Sequence, residues 1–227
     1  MSRIIGIVGP SGSGKTTSLR NINHSKTFFI NVSKKDPPFK GWKSVYSPFG
    51  NDSLDGNIYN EDSAHKIVTA MKYVDQKRED IDIIVVDDCQ YIMAAEFMNR
   101  AKESGWQKFT DIGKNMWDVI NTARNLKRDL TVIFTFHDEE ITEGYVKRSK
   151  IKTIGKMVDE KVTLEGLFTI VLFTSVRIDP QTKEPEFLFQ TKTDGTNTCK
   201  TPMGMFDKMY VANDMVKVLE SINSYYN

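Results

Sequence analysis

The chain has 227 residues, 39% of them hydrophobic and 27% charged, which suits one globular domain with a full core. Its formal net charge of +1 excludes a globally basic nucleic-acid-binding protein, although a local basic patch remains compatible with it. The 2 cysteines lack the spacing of a zinc site or a disulfide framework, and no apolar run approaches the roughly 18 residues of a membrane span. With a first strand predicted close to Met1 and no signal-peptide pattern, we expect a cytoplasmic protein without membrane contact.

Predicted strands and helices alternate along the chain. The predicted strands are 3–8, 27–32, 44–46, 81–88, 130–136 and 168–176, with a return strand at 187–189 after a turn. The predicted helices are 15–23, a segment capped by Asp62 or Ser63, 114–126, and a last one capped by Asp214. Continuous apolar strands between helices predict an α/β fold: a mainly parallel sheet with helices on both faces and a C-terminal antiparallel β-hairpin. A single domain is expected over residues 1–227.

The first predicted strand runs directly into a glycine-rich turn. Residues 9–16 fit G-x-x-x-x-G-K-[ST], a pattern whose backbone N–H groups cradle the phosphates of a nucleoside triphosphate. The predicted nucleotide-binding residues are Gly9, Pro10, Ser11, Gly12, Ser13, Gly14, Lys15, Thr16 and Thr17. The N-terminus of the following helix should add positive charge. Lys15 is predicted to reach the β- and γ-phosphates as a catalytic residue, and the Thr16 hydroxyl to ligate Mg²⁺.

A second acidic motif follows a buried strand. Residues 83–86 are apolar and deliver Asp87 and Asp88 to the C-terminal end of that strand, where parallel sheets hold their ligands. Asp87 is therefore predicted to hold Mg²⁺ together with Thr16. Asp88 is the first candidate for the catalytic carboxylate that orients the attacking water, and Glu61 and Glu96 are the alternatives.

Another core strand ends in polar residues. Thr135 and His137 follow apolar residues at the end of the strand predicted over 130–136. If this strand neighbours the phosphate loop, either side chain can hydrogen-bond the γ-phosphate or the attacking water. We therefore assign the two residues as candidate nucleotide sensors, and His137 as a candidate catalytic residue.

A basic segment lies in the polar region after this strand. It contains Lys147, Arg148, Lys150, Lys152 and Lys156, with Tyr145 at its start and no acidic residue within it. Three interpretations stay open: a solvated face, a nucleic-acid-binding loop in which Tyr145 stacks on bases, and cations that act on a neighbouring subunit. For the last role, Lys152 and Lys156 are the candidates. The segment 192–200 is a second, partly basic stretch that we interpret as an exposed turn.

Together these motifs resemble RecA-like P-loop ATPases, and more narrowly the small phage nucleotide-binding proteins associated with single-strand annealing recombination. The narrower resemblance covers nearly the whole chain and rests on the segments 104–106, 135–137, 151–156 and 200–206. It implies ATP and Mg²⁺ as cofactors, hydrolysis coupled to single-stranded DNA binding, and ATP at the interface of a homo-oligomer. It also implies a phage single-strand-binding or annealing protein as partner, and the cytoplasm of the host cell as location.

Two other functions remain compatible with the sequence. A nucleotide or small-molecule kinase also begins with a phosphate loop, but such kinases usually carry an arginine-rich lid, and residues 139–166 contain only Arg148. A non-catalytic nucleotide switch or DNA-packaging accessory ATPase is the other alternative. The base-reading element by which small GTPases choose guanine is not evident, so ATP is the expected nucleotide.

Overall fold

The computed structural model describes residues 2–51, 53–143, 145–154 and 163–227. Its strands are β1 (Arg3–Val8), β2 (Thr27–Asn31), β3 (Ile58–Tyr59), β4 (Ile83–Asp87), β5 (Thr131–Phe136), β6 (Asp138–Glu143), β7 (Val146–Ile151), β8 (Ile170–Ile178), β9 (Pro185–Gln190) and β10 (Tyr210–Ala212). Its α-helices are α1 (Trp42–Val45), α2 (Ala64–Lys77), α3 (Gln90–Asn99), α4 (Gln107–Arg124) and α5 (Met215–Tyr226). Short 3₁₀ helices span Thr16–Leu19, His24–Lys26 and Leu164–Leu167. None of the described helices is long and apolar enough to cross a membrane.

Eight of these strands form one sheet in the order β10-β9-β8-β1-β5-β4-β2-β3. β1 pairs in parallel with β5 and β8, and β4 pairs in parallel with β5 and β2. β9 is antiparallel to both β8 and β10, which confirms the predicted mainly parallel sheet with an antiparallel C-terminal hairpin. The carboxyl ends of β1, β5 and β4 therefore lie side by side at one edge of the sheet.

The sheet is covered on both faces. On β1, Ile5 and Ile7 pack into one apolar cluster while Ile4 and Val8 pack into the other, so the strand is apolar throughout. Buried residues of α2, α3 and α4 cover the face of Ile4. Buried residues of α5 and the 3₁₀ helix Thr16–Leu19 cover the face of Ile5. Asp214 caps α5 as predicted, because its carboxylate accepts a 3.0 Å hydrogen bond from the Val216 N–H.

Two local predictions were wrong, and one segment had no predicted element. The helix expected over 15–23 is only the 3₁₀ helix Thr16–Leu19, because asparagines at 21 and 23 favour turns and Asn21 bonds Asp214 instead. The strand expected at 44–46 falls largely in the short helix α1, which follows Gly41 in a left-handed conformation. The polar region after β5 contains the antiparallel hairpin β6–β7. The Ile141-Thr142 and Tyr145-Val146 pairs around Gly144 were the available β-strand signal.

Candidate nucleotide-binding site

The glycine-rich loop curls at the carboxyl end of β1. Gly12 and Gly14 have φ angles of 76° and 96°, a left-handed region that L side chains rarely adopt. The ammonium of Lys15 donates hydrogen bonds of 2.8 Å to the carbonyls of both Gly9 and Pro10. Lys15 is buried, and burial lowers the pKa of its ammonium despite the nearby charges of Asp88 and Asp87. The loop thus forms a compact cradle around one buried cation.

The loop is fastened to β8 on its other side. The Ser13 hydroxyl donates to the Pro10 carbonyl at 2.7 Å and lies 2.6 Å from the Thr174 hydroxyl. A Cβ atom at Gly9 would lie 1.8 Å from the Thr174 Oγ1 atom, so only glycine fits beside this strand. Sequence reasoning missed Thr174, because nothing in the chain predicts that β8 adjoins β1.

Two threonines hold the carboxylate of Asp87. The Thr16 hydroxyl donates to the Asp87 carboxylate at 2.9 and 3.1 Å, and the Thr135 hydroxyl donates to its Oδ1 atom at 2.7 Å. Thr135 in turn accepts a 2.7 Å hydrogen bond from the backbone N–H of Asp88. The structure therefore brings Thr16, Asp87 and Asp88 together, as predicted from the sequence, and adds Thr135 as their common support.

The surroundings of Asp87 disfavour the ionised form of its carboxyl. Burial, followed by the charge of Asp88, raises the pKa of its carboxyl to about 6, and the hydrogen bonds from Thr135 and Thr16 only partly offset this. A buried carboxylate beside a second carboxylate is a site that favours a bound cation.

The donor set of this pair fits Mg²⁺. A hydroxyl and a carboxylate are the hard oxygen ligands that Mg²⁺ prefers, and the structure places the Thr16 and Asp87 oxygens beside each other at 2.9 Å. Among the described residues, no cluster of three or more His, Cys, Asp or Glu could hold a metal. Thr16 and Asp87 would therefore share the ion with phosphate oxygens and water, as Mg²⁺ sites commonly do.

His137 and Asp88 face each other beyond the magnesium pair. The His137 Nε2 atom lies 3.4 Å from the Asp88 Oδ1 atom, and Asp88 has a φ of 59°, which an aspartate tolerates better than most residues. Burial, followed by the charge of Lys15, lowers the pKa of His137, so its imidazole is neutral at pH 7. Of the two candidate sensors, His137 lines the cavity, whereas Thr135 is fully buried behind Asp87.

A cavity of about 620 Å³ opens over the loop, a volume within the range of small-molecule sites. Its floor consists of predicted phosphate-binding residues, namely Ser11, Gly12, Gly14, Lys15, Thr16 and Thr17. Asp87, Asp88 and His137 line one side. The loop 33–38 and the strands β9 and β10 supply the other walls, including Pro38, Phe187 and Asn213, which sequence reasoning did not select.

The two alternative carboxylates have other partners. Glu61 accepts hydrogen bonds from the backbone N–H groups of Asp62 and Ser63 at the start of α2, and lies 3.0 Å from the Lys66 ammonium. Glu96 on α3 pairs with Arg100 at 2.9 Å and with the side chain of Asn115. Neither glutamate lines the cavity, so the geometry favours Asp88 over both as the candidate catalytic carboxylate.

The basic segment forms the hairpin strand β7, opposite an acidic strand. Lys147 pairs with Glu140 at 2.8 Å and Lys150 with Glu139 at 3.5 Å, while Arg148 lies in register with Ile141. Residues 138–152 contain four acidic and four basic residues, so this stretch carries no formal net charge. The basic segment contains no acidic residue, but strand pairing places acidic residues of β6 beside two of its lysines.

The hairpin begins at the candidate site. The backbone N–H of Lys152 donates to the His137 carbonyl at 2.9 Å, and the charge of Lys152 contributes to the lowered pKa of His137. Lys152 thus lies beside the site of its own chain, and its action on a neighbouring subunit stays a prediction. Lys156 lies outside the described residues. On the far side, Ser149 exchanges backbone hydrogen bonds with Thr196 and Thr198 of the second basic segment.

Comparison with known proteins agrees with this geometry. A family model described as an AAA domain matches residues 1–203, which is most of the chain. No match is found among curated proteins. The match indicates a nucleotide-binding domain of the P-loop ATPase type.

Proposed function

The chain belongs to the AAA domain family, and from this premise we propose that it is a Mg²⁺-dependent ATPase that acts on single-stranded DNA in phage-type recombination or repair. The family membership carries the nucleotide-binding part of the proposal. The Mg²⁺ requirement, the catalytic residues and the DNA substrate are inferences from the site and from the resemblance described above.

One observation supports hydrolysis most directly. The Thr16 hydroxyl and the Asp87 carboxylate lie 2.9 Å apart at the edge of the loop, and Asp88 and His137 follow at 3.4 Å from each other on the same side of the cavity. In our proposal Thr16 and Asp87 hold Mg²⁺, which neutralises charge on the phosphates when bound. Asp88 orients the attacking water, and the neutral His137 hydrogen-bonds the γ-phosphate or that water.

The test of the ATPase is phosphate release from ATP in the presence and absence of Mg²⁺. We expect turnover only with Mg²⁺, and we expect Lys15→Ala to abolish it because the variant lacks the cation of the phosphate cradle. Lys34→Ala is a matched control, since Lys34 is an exposed lysine outside the cavity lining. Turnover by Lys15→Ala at the wild-type rate would contradict the proposal. ADP formation that depends on an added nucleoside monophosphate would favour the kinase alternative.

The exposed tip of the β6–β7 hairpin supports the DNA part of the proposal. Tyr145 is fully exposed at the tip and Val146 is 47% exposed, whereas an apolar tip without a partner is unfavourable in water. A tyrosine ring offers a stacking surface for any unpaired base, and Lys147, Arg148, Lys150 and Lys152 lie on or just after the following strand. This arrangement suits a single strand better than a duplex, whose bases are already stacked.

The test is binding of a fluorescent single-stranded oligonucleotide by wild type, Tyr145→Ala and Tyr225→Ala. Tyr225 is the matched control, because it is an exposed tyrosine on α5. Loss of one stacked base is worth about 1–3 kcal/mol, so Tyr145→Ala should weaken binding by about tenfold or more while Tyr225→Ala retains it. Equal affinity of all three proteins would remove the hairpin tip from the DNA site. An ATP turnover rate that single-stranded DNA leaves unchanged would count against coupling.

A further inference from the structure

One wall of the cavity has no role in the chemistry proposed above. It consists of Phe187 on β9 together with Ala212 and Asn213 at the end of β10. Phe187 is 40% exposed, although a phenylalanine ring is normally buried. Asn213 is 4% exposed, and among the described residues none accepts a hydrogen bond from its Nδ2 atom. A half-exposed aromatic ring beside a buried, unpartnered amide calls for a ligand that uses both.

Backbone contacts hold this wall against the phosphate loop. The Asn213 N–H donates to the Phe187 carbonyl at 3.2 Å, and its own carbonyl accepts a 2.9 Å hydrogen bond from the Arg20 guanidinium. A Cβ atom at Gly14 would lie 2.9 Å from the Asn213 Oδ1 atom and 3.2 Å from the Phe187 ring. Both side chains are therefore in place next to the loop before any ligand arrives.

The position of the wall determines which end of a nucleotide it meets. Asp87, Asp88 and His137 lie at the ends of β4 and β5, on one side of β1 in the sheet order. β9 and β10 lie on the opposite side of β1, beyond β8. A triphosphate that extends its γ-phosphate toward the carboxylates must direct its nucleoside away from them. The nucleoside then lies against Phe187 and Asn213.

We propose that Phe187 and Asn213 form the base-binding site of this protein and select a purine, adenine in particular. This inference rests on the proposed nucleotide-binding function and names the residues that read the base. The Phe187 ring stacks on the purine face, and the Asn213 carboxamide pairs with the base edge. The terminal torsion of an asparagine is broad, so a modest rotation turns the buried amide toward the ligand.

The chemistry of the carboxamide favours adenine. Adenine presents an acceptor at N7 beside a donor at N6, which matches the donor and acceptor of an asparagine side chain at once. Guanine presents two acceptors, N7 and O6, on the same edge, so one of them would face the asparagine oxygen. A pyrimidine offers a smaller face to the Phe187 ring. The expected order of affinity is therefore ATP, then GTP, then pyrimidine triphosphates.

The test compares two probes by calorimetry in the presence of Mg²⁺: ATP, and inorganic tripolyphosphate, which has the phosphate chain but no base. Phe187→Ala and Asn213→Ala should each weaken ATP binding about tenfold, a typical loss for one stacked or paired base, and leave tripolyphosphate binding unchanged. Tyr225→Ala is the matched control, because Tyr225 is an aromatic residue on α5 that is exposed to a similar extent as Phe187 and does not line the cavity. It should bind both probes as wild type does.

The possible outcomes distinguish a failure of this inference from a failure of the proposed function. If wild type binds neither probe, the nucleotide-binding proposal itself fails. If wild type binds both and the two variants bind ATP with wild-type affinity, or lose tripolyphosphate to the same extent as ATP, the base-binding assignment is overturned. Equal affinity of wild type for ATP and GTP overturns the adenine preference. Thermal unfolding checks each variant, and Phe187→Ala keeps the test informative if Asn213→Ala does not fold, because Phe187 is already partly exposed.

Discussion

The hydroxyl of Thr135 makes two hydrogen bonds, one to each of the consecutive residues Asp87 and Asp88. It donates to the Asp87 carboxylate and accepts from the Asp88 backbone N–H, both at 2.7 Å. The Asp87 carboxylate is thereby held toward Thr16, while the left-handed backbone of Asp88 lets its carboxylate face His137. Thr135 does not line the cavity, so we infer that it is a positioning residue for the proposed magnesium site.

We therefore expect Thr135→Val to raise the Mg²⁺ concentration needed for half-maximal ATP turnover by about 10- to 100-fold. Valine has nearly the same shape but lacks the hydroxyl that holds Asp87. Thr135→Ser retains the hydroxyl and should restore a Mg²⁺ requirement close to that of wild type. A merely structural role would lower the melting temperature of the valine variant without changing the Mg²⁺ dependence of its remaining activity.

Because burial disfavours the ionised form of Asp87, we expect a variant without this charge to be more stable than wild type when Mg²⁺ and nucleotide are absent. The pKa of Asp87 rises from 3.8 to about 6 on folding, so the folded state holds this proton more tightly than the unfolded chain. Stability from this group is thus present below about pH 4, is lost as the pH rises through 6, and stays lost above it. Asp87→Asn removes this penalty, and its amide can pair with the hydroxyls of Thr16 and Thr135.

We expect Asp87→Asn to unfold at a higher temperature than wild type at pH 8, with a gain of up to about 3 kcal/mol, and to show a smaller gain at pH 5. Calorimetric melting of both proteins at the two pH values, with a chelator present, measures this difference. Asp82→Asn is the control, since Asp82 is largely exposed and pairs with the exposed Lys26. A gain that is equal at both pH values would show that the burial of charge is not the cause.

Among the secondary-structure elements, the β6–β7 hairpin shows that strand pairing can place acidic residues beside a run of basic ones. The basic residues of β7 are Lys147, Arg148 and Lys150, and strand pairing places acidic residues of β6 beside the two lysines. The acids are Glu140, whose exposed pair with Lys147 contributes only about 0–1 kcal/mol to stability, and Glu139, whose pair with Lys150 is partly buried. They do reduce the positive potential that a DNA backbone would meet.

The double variant Glu139→Gln, Glu140→Gln should therefore bind single-stranded DNA more tightly than wild type at low salt. Lys147→Ala, Arg148→Ala, Lys150→Ala should bind more weakly, and both differences should shrink as salt rises, because screening weakens contacts between exposed charges and phosphates. Fluorescence anisotropy over a salt series measures both variants. If neither variant changes the affinity, the hairpin does not contact DNA phosphates.

The glycine-rich loop of residues 9–17 differs from the prediction in the helix that follows it. Only the four-residue 3₁₀ helix Thr16–Leu19 follows it, so a long helix dipole does not contribute to phosphate binding. In the proposed phosphate site, the backbone N–H groups of the loop and the buried Lys15 would bind the anion, and Ser13 and Thr174 fasten the loop to β8. This arrangement makes the loop dependent on a strand that lies more than 150 residues later in the chain.

At the scale of the whole molecule, the cavity joins distant parts of the sheet. Its lining comes from the loop after β1, the ends of β4 and β5, the loop after β2, and the β9–β10 edge. A ligand that contacts all of these segments binds the folded chain and not the unfolded one. It must therefore raise the free energy of unfolding.

Saturating ATP with Mg²⁺, at about 100 times its dissociation constant, should stabilise wild type by about 2.7 kcal/mol and raise its melting temperature by about 5–10 °C. Lys15→Ala should show little of this shift, because it lacks the buried cation of the cradle. Differential scanning fluorimetry measures both proteins. A wild-type melting temperature that does not respond to ATP would contradict nucleotide binding at this cavity.

The parallel sheet, the glycine-rich loop and the acidic strand end were predictable from the sequence, because local patterns encode them. Glycines at fixed spacing before Lys15 predict a phosphate-binding loop, and an apolar run such as 83–86 before Asp87 predicts a buried parallel strand. The residues that contact these motifs follow from the tertiary structure. It placed Thr174 and Asn213 against the loop, assigned Glu61 to the start of α2, and set acids beside the cations of β7. The physical reason is that each of these contacts depends on which strands become neighbours, and that choice is made by the packing of the whole core.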